Sequence, residues 1–97
     1  MKNIMKSTKK IGLICILNKK PMYGYELMKE LERRMGEKTN PSFTYPLLRK
    51  LEKEGYFKSK VEKIGKRKIK RYVITERGKE FCKEVEDQVK MILKEFF

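Results

Sequence analysis

The order in which hydrophobic patterns follow one another along the chain leaves few folds open. Residues 57–64 and 69–75 are rich in β-favouring side chains, among them Val61, Ile64, Ile69, Tyr72, Val73 and Ile74. Gly65-Lys66-Arg67-Lys68 between the two runs reads as a hairpin tip. Everything before them is spaced for helices. From residue 8 to 17 the apolar residues are dense enough for a mostly buried helix, which Pro21 ends. Leu27, Met28, Leu31 and Met35 recur at helical spacing and predict a second helix over residues 23–35, with Gly36 at its stop. Residues 37–40 read as a short turn.

Asn40-Pro41 is a strong helix start, with Asn as the cap and Pro in the first position. The third helix then runs to about residue 54, where Gly55 closes it. Pro46 conflicts with this start, since it falls in the second turn and removes one backbone bond. A cap at Thr44 would move Pro46 into the first turn. The earlier start with a local distortion is the preferred reading. Thr75 caps a last helix whose apolar residues, Phe81, Val85, Val89, Ile92 and Phe96, are spaced by four, four, three and four. Two helices joined by a short turn and followed by a basic two-stranded hairpin predict a winged helix-turn-helix. The fold class is therefore mainly α with a small β-hairpin. Residues 1–75 form the DNA-binding domain and residues 76–97 a C-terminal dimerisation helix.

Charge narrows the function. Lys and Arg total 26 against 13 acids, a formal +13 with no His. Such a charge repels itself, and an anionic partner relieves the repulsion. Nucleic acid is the first candidate and a membrane surface the second. The charge is not spread evenly: residues 1–20 carry six Lys and no acid, and residues 58–71 carry eight basic groups against Glu62 alone. The apolar run at residues 11–17 follows basic residues as in a signal peptide, but Asn18-Lys19-Lys20 stands where a cleavage site would be. It is also too short to span a bilayer, and reads as a core helix. Cys15 and Cys82 sit in apolar stretches and read as small core residues in a reducing cytoplasm. With no His, one Asp and no nucleophile–base or ligand cluster, neither an enzyme nor a metal or cofactor site is expected.

On the third helix, Phe43, Leu47 and Leu51 fall on one face with Leu48 beside them. At about 100° per residue, Ser42, Tyr45, Arg49 and Lys53 cluster opposite, with Thr44 and Lys50 counted alongside as DNA-binding. Arg fits guanine bidentately, Ser bonds base edges or phosphates, and Tyr packs on a base methyl or bonds a phosphate. Lys66, Arg67 and Lys68 at the wing tip, with Lys70 and Arg71 beside them, suit phosphate or minor-groove contact. The apolar stripe of the last helix is longer than so small a core can cover, which predicts a homodimer through Phe81, Val85, Val89, Ile92 and Phe96. A specific double-stranded DNA binder is thus expected. The alternative is a basic DNA- or RNA-binding winged helix with little sequence preference.

Three blocks carry a family resemblance: Met22-Tyr23-Gly24-Tyr25-Glu26-Leu27, then Tyr45-Pro46-Leu47-Leu48-Arg49-Lys50-Leu51-Glu52-Lys53-Glu54-Gly55, then Arg71-Tyr72-Val73-Ile74-Thr75-Glu76-Arg77-Gly78. In this order they resemble the PadR family of transcriptional regulators over roughly residues 8–82. The resemblance implies a winged helix-turn-helix, dimerisation through the C-terminal helix, repression at an inverted-repeat operator and Tyr45 at the DNA surface. It also allows a small-molecule effector between subunits, against which this chain offers Phe and Tyr but no Trp. The chain departs from the family's usual pattern at Tyr23, where His is frequent, and at Ser42-Phe43-Thr44, where Gly-Thr-Leu is frequent.

Overall fold

A computed structural model describes residues 2–97, with side chains from Ser7 onward. The share of the basic N-terminal segment due to Lys2 and Lys6 lies outside the described side chains. The elements run α1 (Lys2–Ile16), β1 (Met22–Tyr23), α2 (Gly24–Met35), α3 (Pro41–Lys53), β2 (Phe57–Ile64), β3 (Arg67–Ile74) and α4 (Glu76–Phe96). This is a winged helix-turn-helix followed by a long helix. The first helix starts six residues earlier than the apolar run suggests.

α1 is the central helix and touches α2, α3 and α4. Leu13, Ile14 and Ile16 of its length, with Leu17 just beyond its end, meet Leu27 and Leu31 of α2, Leu48 and Leu51 of α3, Phe57 of β2, Tyr72 of β3 and Cys82 of α4 in one buried cluster. Truncating any of these leucines to Ala should cost about 2–5 kcal/mol. Phe57 and Tyr72 meet edge to face with ring centroids 5.5 Å apart. Leu31 comes so near α1 that a Cβ at Gly12 would stand 2.6 Å from its Cδ1.

Polar side chains fix the joints. Gly36 takes the left-handed conformation, φ 72°, that closes α2. The Glu32 carboxylate then accepts from the Thr39 amide at 2.8 Å, bracing the turn into α3. Asn40 caps α3 by accepting from the Ser42 amide at 3.0 Å, with Pro41 in the first turn. Pro46 lies inside the helix, so the Ser42 carbonyl receives no bond from residue 46. The preferred earlier start is the observed one. Glu52 accepts from both the amide and the hydroxyl of Ser59, at 3.0 and 2.7 Å, and ties α3 to β2.

The strands form an antiparallel sheet of order β1-β3-β2. Two features depart from the expected hairpin. The tip is Gly65-Lys66 alone, because Arg67 pairs with Ile64 and Lys68 with Lys63. A third strand, β1, adds two residues on the far side of β3, Met22 opposite Tyr72 and Tyr23 opposite Arg71. Two residues carry too little pattern to be read as a strand. Thr75 caps α4 as expected, accepting from the Gly78 amide at 3.2 Å.

Candidate nucleic-acid interface

The buried side of α3 is Thr44, Leu48 and Leu51. This corrects the expected face of Phe43, Leu47 and Leu51: Phe43 is exposed and Leu47 half-buried. It also removes Thr44 from the DNA-binding set. Thr44 is 1% exposed, and its hydroxyl donates to the Asn40 carbonyl at 3.0 Å. A hydroxyl bonded back to the preceding turn is compatible with burial, which a count of apolar residues does not reveal.

The rotation moves the outward face only slightly. Ser42, Tyr45, Arg49, Lys50 and Lys53 are all exposed. At about 100° per residue, Ser42, Arg49 and Lys53 lie on the side of α3 opposite the buried face formed by Thr44, Leu48 and Leu51. Tyr45 turns toward the wing, and Lys50 toward α1. The first turn of α3 carries no acid, so no carboxylate offsets the positive end of its helix dipole, although its amides are bonded to Asn40.

The wing completes a groove. Tyr45 and Arg49 of α3 share a concavity of about 400 Å³ with Arg67, Lys70 and Tyr72 of β3 and Tyr25 of α2. Tyr25 is 55% exposed and was missed as a site residue. The Gly24-Tyr25-Glu26 block marks its place, but periodicity alone does not separate an exposed Tyr from a core one. Burial pushes the Tyr72 phenol above its usual range, with Glu52 and Tyr45 adding to the shift and Arg49 opposing it.

Lys66, Arg67 and Lys68 are exposed. Lys63 stands directly opposite Lys68, and Lys60 opposite Arg71. Like charges in cross-strand register destabilise a hairpin unless a counter-charge is supplied. Among the described residues, none of Arg49, Lys50, Lys53, Lys66, Arg67 or Lys68 forms a salt bridge. Those six cations of α3 and the wing are thus not spent in salt bridges within the protein.

A second concavity, about 470 Å³, lies on the other flank of α3, where Phe43, Pro46, Leu47 and Lys50 face Ser7 and Lys10 of α1. Lys9 sits 5.3 Å over the Phe43 ring.

α4 divides along its length. Phe81 is half-buried against Tyr56, ring centroids 5.1 Å apart, Cys82 is buried and Val85 half-buried. Val89 and Ile92 are 48% and 44% exposed, and Phe96 is 74% exposed, with Met91 and Leu93 also open. No described helix is long and apolar enough to cross a membrane. Among the described residues no cluster of His, Cys, Asp or Glu is placed to hold a metal ion.

Comparison with known proteins agrees with this geometry. The model of the Transcriptional regulator PadR-like family matches residues 13–84. The chain is 28% identical to a PadR family transcription regulator of Clostridium difficile, with a TM-score of 0.78 over 89% of this chain and 91% of that one. It is 27% identical to TA0346 of Thermoplasma acidophilum, with a TM-score of 0.83 over 95% of this chain and 89% of that one. Bacillus subtilis PadR, solved in complex with operator DNA, is 26% identical with a TM-score of 0.69 over 77% of this chain and 44% of its own. Among curated proteins no sequence matches significantly.

Proposed function

The chain belongs to the PadR-like family of transcriptional regulators, and on that footing we propose that it binds duplex DNA as a homodimer and represses at an inverted-repeat operator. The observation that carries this reading is the convergence of unpaired cations from α3 and the wing on one groove. α3 enters the major groove with Ser42, Tyr45 and Arg49 toward base edges, and Lys50 and Lys53 toward phosphates. The wing lays Lys66, Arg67 and Lys68 on the backbone, where each phosphate neutralised releases counterions. The cross-strand repulsion between Lys63 and Lys68 is then relieved by the ligand. That a related PadR has been solved with operator DNA supports the same placement.

Residues 1–75 supply DNA contact and residues 76–97 supply pairing, while the first turns of α4 also close the protomer core. Pairing through Val89, Ile92 and Phe96 covers apolar surface that one protomer leaves open. An isologous dimer presents two α3 helices related by a two-fold axis, which is what a palindromic site matches. The protein then works in the cytoplasm beside the DNA it regulates.

Selection of bound duplexes from a random pool tests this directly. An enriched palindrome bound roughly 10³-fold or more above random DNA at the same salt is the expected result. Tight binding with no enriched sequence would replace it with a basic binder of little preference.

A further inference from the structure

We propose that Tyr23 and Glu62 form a strut that holds the wing in register with α3, and that Arg71 is retained in this strut rather than offered to phosphate. The proposal rests on the DNA-binding reading for its consequence, though not for its geometry.

The wing needs such support. β1 pairs with β3 only at Arg71 and Tyr72, so the hairpin beyond them stands as a two-stranded ribbon. A lone two-stranded ribbon is marginal in water, and this one carries opposed lysines. Between Lys60 and Lys70 only Glu62 and Ile69 are half-buried, and they are direct cross-strand partners. Glu62 is also the one acid in residues 58–71. A carboxylate on a phosphate-facing wing weakens affinity unless it serves another end.

Its contacts show that end. The Tyr23 hydroxyl donates to Glu62 Oε2 at 2.8 Å, and Arg71 Nη1 lies 3.7 Å from Glu62 Oε1. The Arg71 guanidinium carbon sits 5.5 Å over the Tyr23 ring. Tyr23 is itself anchored. Its amide donates to the Glu26 carboxylate at 2.9 Å at the head of α2, and its ring lies parallel to that of Tyr25 at 6.1 Å. The chain of contacts therefore runs from the ribbon through Tyr23 to α2, and from α2 through the braced turn to α3. The hydrogen bond to the Glu62 carboxylate, with burial adding to it, pushes the Tyr23 phenol above its usual range.

Tyr23→Phe removes one hydroxyl and no charge. Amide exchange in residues 63–68 should then speed up about three- to tenfold in the free protein, the loss of one part-buried hydrogen bond of ordinary strength. Affinity for the selected operator should fall, by at most the same factor, as the competent fraction of the wing falls. In a background where Lys66, Arg67 and Lys68 are all Ala, Tyr23→Phe should have no further effect on affinity. A general loss of fold, or a direct contact from Tyr23 to DNA, would still weaken binding in that background and would overturn the strut. Glu62→Gln separates the remaining alternative. A carboxylate that only repels phosphate gives tighter binding when neutralised, whereas the strut predicts weaker or equal binding. Unchanged exchange in Tyr23→Phe also overturns the proposal. Because exchange needs no DNA, a wild-type chain that bound no duplex would sink the proposed function and leave the strut to be judged separately.

Discussion

Gly78 of α4 passes so near Tyr56 that a Cβ added to it would overlap the Tyr56 carbonyl oxygen and stand 2.6 Å from Ile74 Cγ1. Helix propensity alone would reward Ala at this place in a first turn. The packing reverses the sign, because a backbone carbonyl has no rotamer to escape into. Gly78→Ala is expected to lower stability by about 1–3 kcal/mol, the usual range for overpacking. Thermal unfolding measures it. A gain in Tm would show that α4 does not dock here.

Thr44 offers a cleaner separation of folding from recognition. It sits inside α3 next to Tyr45, yet is buried and bonded to the Asn40 carbonyl. Thr44→Val keeps the shape and removes one hydrogen bond, for a stability loss of about 0.5–1.5 kcal/mol. Operator affinity of the folded variant should equal that of the wild type. A change in base preference would return Thr44 to the reading surface.

Most of the architecture was legible because it rests on strong local chemistry. Asn40-Pro41 and Thr75 name their own helix starts, and Gly36 and Gly65 adopt the positive φ expected at a helix stop and a hairpin tip. What was missed depends on tertiary context. The face of α3 turned by one residue because α1 leaves Phe43 open and Thr44, its hydroxyl bonded to the Asn40 carbonyl, fills the core. β1 exists only because β3 is there to pair with it. Tyr25 entered the groove because α2 begins beside β3, a relation between elements distant in sequence.

The pairing surface predicts a monomerising change that spares the fold. Val89 and Ile92 are exposed in the protomer, so a charge there meets water unless a second chain covers it. Val89→Glu or Ile92→Glu should therefore leave thermal stability of the isolated protomer intact. Buried unpaired at an interface, the same carboxylate destabilises by several kcal/mol, and sedimentation should show monomer. Dimers from both variants would place the pairing surface elsewhere.

The two thiols are predicted to be slow nucleophiles. Cys15 of α1 and Cys82 of α4 neighbour each other, and neither is in a disulfide. Burial, then the neighbouring Cys15, pushes Cys82 up to about 12, and burial raises Cys15 although Cys82 opposes the shift. Since only the thiolate reacts, Cys82 at pH 8 should alkylate roughly a thousandfold more slowly than an ordinary cysteine, and faster as pH rises. Denaturant should restore ordinary rates at both sites. Fast labelling of Cys82 in the native protein would mean that α1 and α4 are not packed as observed.

Arg49 carries most of the claim to sequence specificity. It stands on the side of α3 away from the buried face of Thr44, Leu48 and Leu51, is exposed, and forms no salt bridge among the described residues. It also shares its groove with Tyr45 and with Arg67 of the wing, so a duplex that meets the wing meets Arg49. Its planar fork matches the two acceptors of guanine in the major groove, which a lysine at the same place does not. Arg49→Ala should cost about 1–3 kcal/mol on the selected operator and relax preference at one position of each half-site. The loss on random duplex should be smaller, because phosphates are the same in both. Arg49→Lys keeps the charge and loses the fork, and should recover affinity for random DNA without recovering the base preference. Equal losses on operator and random duplex for Arg49→Ala would make it a phosphate contact, and the base-reading group would then have to be Ser42 or Tyr45. No loss on any duplex would mean that this face of α3 does not enter the groove.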